Sequence, residues 1–161
     1  MISCNSYTEI ERYSVAGYRV GDTIDGGIII TDDTPQNHES RGIIEGVPCS
    51  RVRLFNNLLE LIVVDSLTPA ETDTIINDVL KIHENRSWGD SCLVIRDYSP
   101  DEELFFLFDT ITDDLIQISR STSHNPDSIA TLYLSSGFKF NKIRDSILGP
   151  PEYDFTPMKE K

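Results

Sequence analysis

The sequence has few bases, few cysteines and no long apolar run. Its three cysteines, Cys4, Cys49 and Cys92, are odd in number and form no CxxC pair. That pattern argues against a disulfide framework or a zinc knuckle. It leaves Cys49 and Cys92 expected as reduced thiols packed inside strands. No apolar stretch approaches the roughly 20 residues that span a bilayer. The opening residues, Met1-Ile2-Ser3-Cys4-Asn5-Ser6-Tyr7, lack the basic and apolar segments of a secretory signal. The expected place is therefore the cytoplasm, or a particle assembled inside a cell.

Phosphate-binding glycine patterns are also missing. The 9 glycines form neither GxGxxG nor GxxxxGK[ST], so no nucleotide cofactor is expected. GxSxG and HExxH are absent, as is the Asx-x-Asx-x-Asx-Gly calcium loop. No catalytic, cofactor-binding or metal site is assigned. No internal repeat or low-complexity tract stands out.

What is abundant is acid. Against 14 lysines and arginines stand 27 aspartates and glutamates, for a net charge of −13. The first eighty residues hold 13 acids and 5 bases, and the rest hold 14 and 9, so the charge is spread along the chain. Such a surface repels nucleic acid and anionic membranes at long range. It could attract a basic protein partner or imitate DNA, and it allows an acidic inhibitor or immunity-type protein that blocks a basic surface. The ordinary explanation, solubility, remains beside these.

Hydrophobic residues make up 39% of the 161, enough for one packed domain, expected over 1–148, with an extended arm over 149–161 after Gly149-Pro150-Pro151. Tyr18 to Thr31 reads as a hairpin turning at Asp25-Gly26. Asp32 to Arg41 reads as an exposed loop. A second hairpin runs from Cys49–Phe55 through Asn56-Asn57 to Leu58–Val64, with Val52 and Leu54 facing one way and Arg51 and Arg53 the other.

Thr68-Pro69-Ala70-Glu71 supplies an N-cap, a first-turn proline and a capping-box glutamate. Thr72, Ile75, Ile76, Val79, Leu80 and His83 then share one helical face, and the helix is expected to end near Asn85–Gly89. Strands are expected over 91–98, 104–108 and 115–119. A second helix is expected over 125–136 with Gly137 as its C-cap, and a final strand over 138–143. The expected fold class is α+β, a mainly antiparallel sheet with two helices packed on one face.

The titratable candidates are few. His83 sits on the apolar face of the helix and reads as a core histidine with one hydrogen-bonded nitrogen. His38 and His124 fall in loops. Asp109, Asp113 and Asp114 lie in a stretch, 97–119, with seven acids and no base. Oxygen ligands of this kind suit calcium or magnesium, although a solvated hairpin tip is the favoured reading. Only Arg51 and Arg53 lie near enough in sequence to activate Cys49.

The segment Gly46-Val47-Pro48-Cys49-Ser50-Arg51-Val52-Arg53-Leu54-Phe55, with Leu59-Glu60-Leu61-Ile62, resembles the opening hairpin of small β-rich modules in bacteriophage tail-associated proteins. The resemblance implies a virion or assembly component that works through protein–protein contacts, as an oligomer or in a larger assembly, without catalysis. Asn125, Ala130, Leu132, Tyr133, Gly137 and Phe138 look like the closing motif of GCN5-type N-acetyltransferases. That resemblance implies a degenerate acyltransferase in which the helix after Thr68 would face coenzyme A and Tyr133 would protonate the departing thiolate. The leading expectation is the non-enzymatic contact protein.

Overall fold

The computed structural model describes residues 10–34, 36, 38–83, 92–98, 102–121, 129–137, 142, 145–146 and 148–149. Among them, eight strands and a helix follow one another in the chain. They are β1 (Ile28–Thr34), β2 (Glu39–Ile44), β3 (Ser50–Phe55), β4 (Leu58–Leu67), α1 (Pro69–His83), β5 (Cys92–Tyr98), β6 (Glu102–Asp109), β7 (Asp114–Ser121) and β8 (Ala130–Ser136). All eight strands form one sheet in the order β1-β2-β3-β4-β8-β7-β6-β5. Every neighbouring pair is antiparallel. The sheet is thus two four-stranded meanders fused along β4 and β8, with β1 and β5 at the two edges. No helix among the described residues is long and apolar enough to cross a membrane.

Local chemistry explains the first meander. Asn56 and Asn57 both take positive φ, 51° and 63°. Asparagine tolerates that region, and two such residues in series make the turn whose twist suits a hairpin. The ladder then runs Arg51↔Val63, Val52↔Ile62 and Arg53↔Leu61, and shifts register before Leu54↔Leu59. The shift makes Glu60 the extra residue of a bulge. Leu59 and Glu60, adjacent in sequence on the bulged strand, are both buried.

Strand alternation builds the core. Ile62, Leu134, Ile116, Leu107 and Val94 stand opposite one another in turn across β4, β8, β7, β6 and β5. The first four join Ile44, Val52, Leu54, Leu59, Leu132 and Ile118 in one buried cluster, and the partly buried Val94 packs against it. Ile76 and Val79 of α1 pack into that cluster, with Ile75 and Leu80 at its margin. Val15, Val20 and Ile28 cover the rest of the same face. The helix begins where its capping box predicts: Thr68 N–H donates to Glu71 Oε2 at 2.7 Å, and Glu71 N–H returns to Thr68 Oγ1 at 3.2 Å.

Three expectations are overturned. The second helix does not form, because Ala130–Ser136 is strand β8. Ala130, Leu132 and Leu134 are buried while Thr131 and Tyr133 between them are not, a period of two. The position between β4 and β7 also pairs the backbone on both sides. Among the described residues the named elements are therefore a mainly antiparallel sheet with α1 against one face, and the second helix expected at 125–136 is not one of them. Nor is Tyr18 to Thr31 a hairpin. Residues 18–27 form turns against β4, with Gly21 N–H donating to Leu59 O at 2.7 Å and Leu59 N–H to Asp22 O at 2.9 Å. The expected loop at 32–41 is largely the β1–β2 hairpin, whose pairing runs from Ile28↔Ile44 to Thr34↔Glu39. Of the expected strand at 138–143 only Lys142 is described, and it is helical rather than extended; of the arm at 149–161 only Gly149 is described.

Candidate interaction surface

The acids Asp109, Asp113 and Asp114 are not a solvated tip. They are 2%, 9% and 7% exposed. Each has its own partner. Asp109 Oδ2 lies 2.9 Å from His83 Nδ1, and Asp109 Oδ1 accepts from the amides of Ile111 and Thr112 at 2.9 and 3.3 Å. Asp113 Oδ2 accepts from the Ser136 hydroxyl at 3.1 Å. Asp114 takes a two-pronged contact from Arg12, Nε to Oδ2 at 2.8 Å and Nη2 to Oδ1 at 2.5 Å. Planar fork-to-carboxylate contacts of this kind are among the stronger side-chain interactions. Among the described residues no three His, Cys, Asp or Glu converge as a metal would need.

His83 is fully buried. Tyr13 N–H donates to its Nε2 at 3.2 Å while Nδ1 faces Asp109. Both ring nitrogens are engaged, one as acceptor and one as donor. The arrangement is that of a neutral ring protonated on Nδ1. It holds the chain at Arg12–Tyr13 against α1 and β6. Burial pushes the Asp109 carboxyl up, but the His83 hydrogen bond and the two backbone amides outweigh it and hold the group below its ordinary value. A cleft of about 420 Å³ opens beside this strap, lined by Glu11, Tyr13, Asp78 and Lys81 among others. His83 does not line it.

The other sequence candidates do not meet. Cys49 is exposed in the turn before β3 with φ 57°, not packed in a strand. Cys92 begins β5, and its side chain, like Cys4, lies outside the described residues. His38 is in the β1–β2 turn at φ 56°, its ring edge-on to Phe55 with centroids 6.3 Å apart. His124 and Asn125 fall outside the described residues. Tyr133 lies in mid β8, opposite Val63 and Gln117. Glu71 is drawn low by the Thr68 amide and hydroxyl, so the helix start is closed by its own side chains.

The side of the sheet away from α1 is different. Along β2, Arg41 and Ile43 are exposed while Gly42 and Ile44 are buried. Arg41 stands directly opposite Arg53 of β3. Arg53 and Arg51 stand in turn opposite Leu61 and Val63 of β4. Arg41, Arg51 and Arg53 thus rim a groove of about 300 Å³ whose floor includes Ile43, Leu61 and Val63. Ile29 of the edge strand pairs with Ile43 and extends the apolar row outward. Ile29 and Ile43 are 45% and 38% exposed.

Two of the arginines are tied at their inner ends. Arg51 reaches Asp65 at 2.7 Å, and Asp65 is itself anchored by the Thr131 hydroxyl at 3.1 Å. Arg53 reaches Glu60, the bulge residue, at 2.8 Å. Arg41 forms no ion pair among the described residues. The spacing of two in the sequence places Arg51 and Arg53 on a shared face. It says nothing of Arg41, which joins them only through the β2–β3 register.

Comparison with known proteins finds no matching family model, no matching curated protein and no matching solved structure.

Proposed function

We propose that this protein is a non-enzymatic contact protein, a component of a bacteriophage tail or related virion assembly that works through protein–protein interfaces. The observation that carries the reading is the exposed apolar row Ile29–Ile43 at the β1 edge, continuous with the groove over β2, β3 and β4. A sheet edge with exposed β-branched residues is an adhesive feature that proteins usually blunt. The reading is supported further by the engagement of His83 and of the three acids in holding the fold together, and by residues 46–62, which carry the resemblance to tail-associated modules.

Site-specific photo-cross-linking in the producing cell tests it. A photoreactive residue at Ile43 should give a discrete protein adduct. The same residue at Asp73, exposed on α1, should give none. No adduct from position 43, or equal adducts from both positions, would refute the contact reading.

A further inference from the structure

We infer that the groove rimmed by Arg41, Arg51 and Arg53 receives an acidic segment of a partner protein, seated with its aliphatic side chains on Ile43, Leu61 and Val63. The inference rests on the contact reading and names the partner's chemistry. Three observations carry it.

Like charges directly opposite on neighbouring strands oppose pairing, yet Arg41 and Arg53 stand opposite each other in register. Among the described residues only one of the two makes an ion pair, namely Arg53 with Glu60. An arriving carboxylate between the two guanidinium groups would turn a repulsion into a fork-shaped contact.

The second observation is charge contrast. The whole chain has 27 acids and 14 bases. Nevertheless three arginines rim this groove, and among the described residues no acid lines it. A chain of net charge −13 repels acidic partners at long range. A partner of that kind is accepted only where bases gather and apolar burial adds to the attraction.

The third is the mix of residue types. Arginine and aliphatic side chains share the outer face, and Arg51 and Arg53 lie two residues apart on β3, a spacing of about 7 Å along a strand. Alternate residues of an extended peptide repeat at that distance. An acidic segment with interspersed aliphatic residues therefore matches both the charges and the floor. Asp32, opposite Arg41 on β1, and Asp65 and Glu60 moderate the field without filling the groove.

The test is a titration of the full-length protein with a blocked hexapeptide alternating aspartate and leucine, read by nitrogen–proton correlation of the arginine side chains. Nε signals of Arg41, Arg51 and Arg53 should move together, while those of Arg12 and Arg19 stay. Affinity should fall several-fold as salt rises. Arg41→Glu should weaken binding at least about tenfold with an unchanged melting temperature, because Arg41 is exposed and makes no ion pair among the described residues. Arg41→Gln gives a second variant with the same expected direction. Absence of shifts at millimolar peptide overturns the inference, as does equal binding of a peptide with lysine in place of aspartate. Octanoate binding as tightly as the peptide would overturn the assignment to a protein segment. If the titration fails while Ile43 still cross-links, only the partner chemistry falls. If both fail, the contact reading falls with it.

Discussion

Asp109→Asn should destabilise the protein by about 2–4 kcal/mol, and the reason is a conflict of hydrogen-bond direction. The substituted side chain can keep accepting from the amides of Ile111 and Thr112 through its oxygen. Its amide group then faces His83 Nδ1, a donor against a donor. If the ring changes tautomer to accept there, Nε2 becomes a donor and meets Tyr13 N–H, 3.2 Å away. One buried polar group is left unsatisfied in either case, which costs about 1–3 kcal/mol, and the charge assistance that the carboxylate lends its hydrogen bonds is lost as well. For a domain of this size each kcal/mol lowers the melting temperature by about 2–4 °C. Urea unfolding followed by circular dichroism measures the loss. The same variant should change the acid limb. The fold holds the Asp109 carboxyl below its ordinary value, so its contribution is present above about pH 4 and fades as pH falls further. In the variant that fading component disappears. A variant as stable as the wild type at neutral pH, with an unchanged acid limb, would refute the assigned roles of His83 and Tyr13.

Three other substitutions probe separate parts of the structure. A Cβ at Gly42 would lie 2.4 Å from the Ile29 carbonyl oxygen, a backbone atom, so Gly42→Ala should displace β1 and cost about 1–3 kcal/mol by urea unfolding. Arg12→Ala removes the Asp114 fork and the 2.9 Å contact with Val20 O; amide exchange should quicken over residues 13–20 and hardly change in β6 and β7. Burial, with Asp78 nearby, raises the Tyr13 phenol to about 12. Its contribution is therefore complete below about pH 10 and lost as pH rises from about 10 to 12, and Tyr13→Phe should flatten that alkaline limb.

The parts of the fold that are legible in the sequence are those with local causes. The 49–64 hairpin follows from Asn56-Asn57 and alternation, and α1 from its capping box. Residues 130–136 mislead because Ala130, Leu132, Tyr133 and a following glycine imitate a capped helix. What decides their state is pairing with β4 and β7, which is non-local. Asp25-Gly26 looks like a hairpin turn, but Asp25 instead accepts from Gly27 N–H and from the Tyr18 hydroxyl. The acid cluster shows its charge in the sequence without its partners, since Arg12 lies 102 residues from Asp114 and His83 lies 26 from Asp109. The arginine groove is half visible for the same reason, as Arg41 reaches it only through strand register.

Hydroxyl-radical footprinting of the protein, purified and in the cell that makes it, tests the contact surface most directly. Ile29, Ile43 and Leu61 should be labelled in the purified protein and protected in the cell, while exposed Ile111 and Ile129 are labelled equally in both. Equal labelling of Ile29 and Ile43 in the two settings would contradict the account.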